Sequence, residues 1–240
     1  MGGSGSTGKR ISIRGGVFRM MVNGEEVAKN ENRAMNIVIV NGATKVARSF
    51  YAGKYVAGEA SHPDCWSNDG DKPDPSIEYP QASACEGCPQ NIKGSGQGTS
   101  KACRYRRRIA VNLVEDFGTS LEGEVYQLNL ASKSLFGEGT ADNTHTFENY
   151  TKYLSNNGKS LDYVVTQISF NEDNDNQSVL FTPMRYITKD QFEVTGKLGS
   201  KPEVQKMVVM TPYQADVSGR APKLEAPKAE VPAPAKRESK

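Results

Sequence analysis

The sequence predicts a mainly β domain, a barrel or a sandwich. Three observations carry this: about seven or eight β-prone runs with period-two patterning, one clear amphipathic helical stretch, and an irregular segment that divides the strands into two groups. Antiparallel meanders interrupted by an insertion suit an OB-like barrel with one or two short helices. The chain has 240 residues, enough for one substantial domain or two small ones. Hydrophobic residues make up 36% and charged residues 24%. That is thin for a compact domain, so part of the chain is expected as loop or tail.

The elements follow in order. Residues 1–9 are Gly/Ser-rich and read as a flexible arm with no apolar core, so no secretory signal is expected. Residues 10–14 alternate polar and apolar side chains as a half-buried strand does, and residues 17–22 form a second strand closed by an Asn23-Gly24 turn. Residues 35–40 (MNIVIV) read as a buried strand, and residues 45–51 as the strand returning from it. Residues 58–103 are rich in Pro, Gly, Ser, Asp and Asn and read as an insert. Strand patterning resumes at 108–114 and 125–130, with one helical turn at 132–136. Phe147, Tyr150, Tyr153 and Leu154 share one helical face that ends at Asn157-Gly158. Residues 161–170 and 179–187 form a long-looped hairpin, and residues 190–194 a short helix. The β domain is thus expected over 10–57 and 104–213, followed by a disordered Pro/Ala/Lys-rich tail at 214–240. No apolar run reaches 18 residues, so no membrane helix is expected.

The cysteines lie at Cys65, Cys85, Cys88 and Cys103, spaced C-x19-C-x2-C-x14-C. A C-x2-C knuckle lets two thiolates meet one ion, Gly87 supplies the turn, and one cysteine on each side completes a tetrahedral site. This predicts a zinc-ribbon-like insert that binds structural Zn²⁺, in which the ion replaces a missing core. An Fe–S cluster is the second reading, with Cys88-Pro89 in its favour, and free or disulfide-linked cysteines the third. A closed four-thiolate site has no open position for water, so no catalysis is assigned to it. His62, three residues before Cys65, reads better as a loop histidine than as a ligand.

The net charge of +2 is small against 30 basic and 28 acidic residues, so any polyanion surface must come from local clustering. Two such stretches exist. Lys45, Arg48 and Lys54 interleave with Phe50, Tyr51 and Tyr55, with no acid between Glu31 and Glu59. Lys101, Arg104, Arg106, Arg107 and Arg108 surround Tyr105, with no acid between Glu86 and Glu115. Cations that neutralise phosphates beside aromatic faces on which bases stack are the chemistry of single-strand binding. Each stretch taken alone reads better as a solvated face beside ordinary core aromatics. Trp66 is a further stacking candidate, and Tyr126, Phe181, Arg185 and Tyr186 are weaker ones. With only His62 and His145, and carboxylates that read as loop residues, no catalytic set assembles and no enzyme is expected. The Gly3–Lys9 run lacks the strand and Ser/Thr of a phosphate loop, and residues 171–176 lack the glycine and final glutamate of a calcium loop.

Several stretches resemble a family of single-stranded-DNA-binding proteins from tailed bacteriophages: residues 10–19 (RISIRGGVFR), 63–70 (PDCWSNDG), 85–91 (CEGCPQN), 98–104 (GTSKACR) with Arg107-Arg108 following, and 181–185 (FTPMR). The cysteine-bearing stretches are the specific part. The resemblance implies an OB-like fold with a zinc-bearing insert, no enzymatic activity, and a non-enzymatic role in phage DNA replication or recombination. It further implies single-stranded DNA and phage replication or recombination proteins as partners, and the cytoplasm of the infected host as location. One departure is the tail: residues 216–240 carry six basic against four acidic side chains, whereas such proteins commonly end in an acidic, partner-docking tail. The rival expectation is a zinc-stabilised interaction factor that binds a phage or host polymerase.

Overall fold

The computed structural model describes residues 8–53, 63–139, 143–172 and 178–210. The arm at 1–7, Lys54, Tyr55, His62, the middle of the acidic 171–178 loop and the tail from 211 lie outside the described residues.

Ten strands form one sheet. They are β1 (Lys9–Arg14), β2 (Val17–Val22), β3 (Glu25–Asn30), β4 (Ala34–Gly42), β5 (Ala47–Phe50), β6 (Cys65–Ser67), β7 (Arg104–Leu113), β8 (Tyr126–Ala131), β9 (Val164–Phe170) and β10 (Val179–Tyr186). Four α-helices occur among the described residues: α1 (Ser132–Leu135), α2 (Phe147–Asn156), α3 (Lys189–Thr195) and α4 (Pro202–Val208). The strand order is β10-β9-β4-β7-β8-β1-β2-β3, with β5 on the free half of β7 and β6 on β5. The sheet curls into a half-barrel.

The mainly β expectation holds, and the elements at 10–14, 17–22, 35–40, 108–114, 125–130, 132–136, 147–154, 161–170 and 179–187 all form. The Asn23-Gly24 turn has φ of 52° and 92°, the pair of positive angles a two-residue hairpin needs. Three expectations change. The sheet is mixed, because β1 lies parallel to β8. Residues 47–50 do not return along β4: both edges of β4 are taken, by β7 and β9, so β5 pairs with β7 and β6 instead. Among the described residues there are four helices rather than one or two, and those of the insert contribute one three-residue strand rather than a ribbon.

Strand alternation sends Ile37, Ile39, Ile109, Val111, Leu128, Leu130 and Phe18 to one face, where α1 and α2 close over them with Leu135, Phe147, Tyr150 and Leu154. The last three sit at i, i+3 and i+7, one helical stripe. Buried Tyr150 bonds the Thr166 hydroxyl at 2.7 Å, which satisfies both polar groups. On the other face Val38, Val40, Ala110 and Val165 pack under Val204, Met207 and Val208 of α4. Burial on both faces explains why residues 37–40 (IVIV) are continuously apolar. α4 covers only the centre, so the outer face of the sheet toward β8, β1 and the start of β7 is less enclosed, with Asn129 and Arg104 exposed.

Candidate metal centre and nucleic-acid interface

The insert builds its shape from turns. The Asp69 carboxylate accepts hydrogen bonds from the Ser67 hydroxyl and the backbone amides of Asp71 and Lys72, which hold it well below the usual carboxylate range, at about 2. Gly70 follows at φ 78°, where a Cβ would come within 2.7 Å of the Val46 carbonyl oxygen, so the loop lies directly on the backbone before β5. Gly87 at φ 73° turns the knuckle, Asn91 Nδ2 donates to the Cys85 carbonyl at 2.9 Å, and the Cys103 amide donates to the Gln90 carbonyl at 2.7 Å. β6 then pairs with β5, placing Cys65 opposite Phe50.

These turns bring Cys65, Cys85, Cys88 and Cys103 to the wall of one cavity of about 20 Å³, room for a single water-sized particle. All four are free thiols. Burial pushes the Cys65 and Cys85 thiols up, and the Cys103 thiol up to about 11, against the pull of the Arg48 charge on Cys85 and Cys103. Among the described residues no group of three or more His, Cys, Asp or Glu side chains stands ready to hold a metal ion. Cysteine is nonetheless the donor type that a soft divalent ion takes, and four of them share the wall of this cavity. A second observation supports the fit: Arg48 lines the same cavity, and its buried Nε and Nη1 have no hydrogen-bond partner among the described residues.

The two basic stretches meet on β5 and β7, since Ala47, Arg48 and Ser49 pair with Arg106, Tyr105 and Arg104. They do not form one surface, because side chains alternate along a strand. Arg107 and Tyr105 point to the α1–α2 face. Arg107 binds Glu148 at 2.5 Å and the Ala43 carbonyl at 2.9 Å, with its guanidinium 5.2 Å from the Phe147 ring centre. Tyr105 packs edge-on against Phe136 and accepts a bond from Arg48 Nη2 at 2.7 Å. Phe50 is buried, Trp66 packs under Met210 and Ile77, and Tyr126 and Phe181 belong to the core. None of these presents a face to solvent for stacking. The 12-residue groove expected from sequence is therefore divided by burial.

What remains on the outer face is a ladder of Arg104, Arg106 and Arg108 on alternate positions of β7. Arg104 is exposed, Arg106 half-buried and Arg108 buried, with Arg108 Nη1 donating to the Val209 carbonyl at 2.8 Å. Burial lowers the Arg106 pKa, and lowers Arg108 to about 10, while the Tyr51 oxygen pulls both the other way. Tyr51, 41% exposed, thus stands beside the ladder with much of its ring in solvent. Among the described residues no carboxylate pairs with Arg104 or Arg106. Lys45 pairs with Asp71 at 3.2 Å, and Lys101 donates to Asn91 Oδ1 at 3.2 Å, so both cations stay exposed at the rim. Sequence reasoning missed Arg10. The pairs Ala110–Gln127 and Gln127–Arg10 put it on the ladder's face, two strands and roughly 10 Å away, and only long-range pairing reveals this.

No helix of the described residues is long and apolar enough to cross a membrane. Comparison with protein families, curated proteins and solved structures finds no match for this chain.

Proposed function

We propose that the chain is a non-enzymatic single-stranded-DNA-binding protein of phage DNA replication or recombination, with an OB-like half-barrel as its scaffold and structural zinc in its insert. The observation that carries this reading is the ladder of Arg104 and Arg106 beside half-exposed Tyr51, with no carboxylate pairing either arginine among the described residues. Guanidinium groups crowded on one strand repel each other, and a partly desolvated one without a counter-charge is costly. A phosphate backbone supplies that counter-charge, and Tyr51 supplies a face for a base. Binding of this kind accepts every base, so sequence preference is slight.

The test is fluorescence anisotropy with labelled single-stranded and duplex oligonucleotides over a salt series. We expect tighter binding to the single strand, with log affinity falling on log salt by about 0.7 per phosphate contact. Joint replacement Arg104→Ala and Arg106→Ala should weaken binding at least tenfold and lower the slope by about 1–2. Arg107→Ala should leave both unchanged, because Arg107 is committed to Glu148. No binding at low salt, or an equal effect from Arg107→Ala, sinks the reading. The chain would then be sought as a docking factor for a polymerase.

A further inference from the structure

Arg48 is an arginine that the sequence places in a basic cluster and the fold turns inward. Its backbone is fixed on both sides, by Tyr105 of β7 and Ser67 of β6. Its guanidinium is fixed as well. Nη2 donates to the Tyr105 hydroxyl at 2.7 Å, and the guanidinium carbon lies 4.3 Å from the Tyr105 ring centre. The remaining donors, Nε and Nη1, are buried and meet no acceptor among the described residues, while Arg48 itself lines the cavity that Cys65, Cys85, Cys88 and Cys103 also line, and its charge acts on Cys85 and Cys103.

An arginine stays charged at any physiological pH, and leaving its donors unmatched in the interior costs more than a hydrogen bond returns. A neutral thiol is a poor acceptor and does not meet that cost, whereas a metal-bound thiolate is anionic. Four thiolates around a divalent ion carry a net charge of −2, itself unfavourable away from water. The two problems have one solution. We propose that Arg48 is the built-in counter-charge of the thiolate centre, donating Nε–H and Nη1–H hydrogen bonds to cysteine sulfurs once a soft divalent ion has displaced their protons. This rests on the metal reading of the cysteines. Metal binding releases the thiol protons to solvent, the centre changes from four neutral thiols to a dianion, and Arg48 reduces the net charge to −1. Lysine would supply the charge without the rigid fork.

The experiment uses the full chain with Zn²⁺ and Co²⁺ as probes. Metal per chain is measured by native mass spectrometry, affinity by competition with a chromophoric chelator, and the thiolate-to-cobalt charge-transfer band by absorbance. The parent should bind one Zn²⁺ per chain. Arg48→Met should lose about 10- to 100-fold in affinity, as loss of an outer-shell partner does. Arg48→Lys should lose less, and the cobalt band should move to lower energy in both, because N–H···S bonds withdraw charge from sulfur. Tyr105→Phe, which frees the fork but keeps the charge, provides a milder variant should Arg48→Met fail to fold, and a several-fold loss with a smaller band shift is expected of it. If the parent binds zinc while the variants keep its affinity and band, Arg48 has no such role and the metal centre stands. If the parent takes up neither ion, the metal reading falls and this inference with it.

Discussion

Residues 104–113 and the segment before them adjoin in the chain yet hold their shapes by different means. β7 has its last six residues, Arg108–Leu113, buried in succession, with one hydrophobic core beneath it and another above. Among its described residues the insert buries only Pro63, Trp66, Ser67, Gly70, Cys85 and Cys88, and it spends its polar groups on its own backbone through Asp69, Asp74, Asn91 and Ser95. The first region is ordered by removal of apolar surface from water, a collective effect that tolerates small losses. The second is ordered by turns around one cavity whose wall includes the four cysteines. The proposed function divides along the same line: the strand offers the arginine ladder, and the insert pairs through β6 with β5, which pairs with the base of that ladder.

The largest expected effect breaks the second region alone. Joint replacement Cys85→Ser and Cys88→Ser should abolish zinc retention and open residues 63–103 to protease, while the β signal in circular dichroism persists. Structural zinc supplies about 10 kcal/mol or more of apparent binding energy, and under the proposed metal reading that energy would be local to the insert. If the sheet unfolds together with the insert, the two regions are one cooperative unit and the contrast fails. The converse prediction concerns the core. Leu128 is fully buried between β7 and β1. Leu128→Ala should cost about 3 kcal/mol and lower the melting temperature by several degrees, while the folded fraction still binds metal with parental affinity. A weakened metal affinity would show that the sheet sets the cavity's shape.

Legibility followed the same division. Strands with strong local signals, such as residues 35–40 and the 161–170 and 179–187 runs, could be read because runs of apolar, β-branched residues mark buried strands in the local sequence. The α2 stripe was equally visible. α4 was missed although Pro202 at its start, Glu203 in its first turn, and Val204, Met207 and Val208 on one face all mark a helix. What local pattern does not contain is partnership. The parallel β1–β8 pair and the placement of β5 on β7 join residues about a hundred and about sixty positions apart, and nothing near either strand announces them. For the candidate site, the cysteine spacing was legible as a set. The basic stretches were over-read: linear density counted Arg107 and Arg48 with Arg104 and Arg106, and alternation on the strand, together with an ion pair and a cavity, separates them.

The smallest expected effect sharpens the contrast through two carboxylates. Asp69 of the insert is held near 2 by backbone amides, whereas Asp116, just after β7, is pushed up to about 6 by burial and by Glu115 and Glu124, with its Oδ2 buried and unpartnered among the described residues. The signs are opposite. Asp69 binds its proton less tightly when folded, so its stabilisation is present above about pH 4 and is lost as pH falls toward 2. Asp116 binds its proton more tightly when folded, so its contribution is complete below about pH 4 and is lost as pH rises through 6. At neutral pH Asp116 is therefore a buried charge that destabilises the sheet. Asp116→Asn should leave stability at pH 4 unchanged and raise it by about 1–2 kcal/mol at pH 7.5. The difference between variant and parent, measured by urea unfolding at each pH, should grow mainly between 4 and 6. His145, whose pKa is lowered by burial, loses stability as pH falls and so tilts both curves the other way, but it cancels in the difference. A difference that is flat with pH would mean that water or a cation relieves Asp116 in solution. The outer end of β7 would then be a wetter place than its buried neighbours suggest.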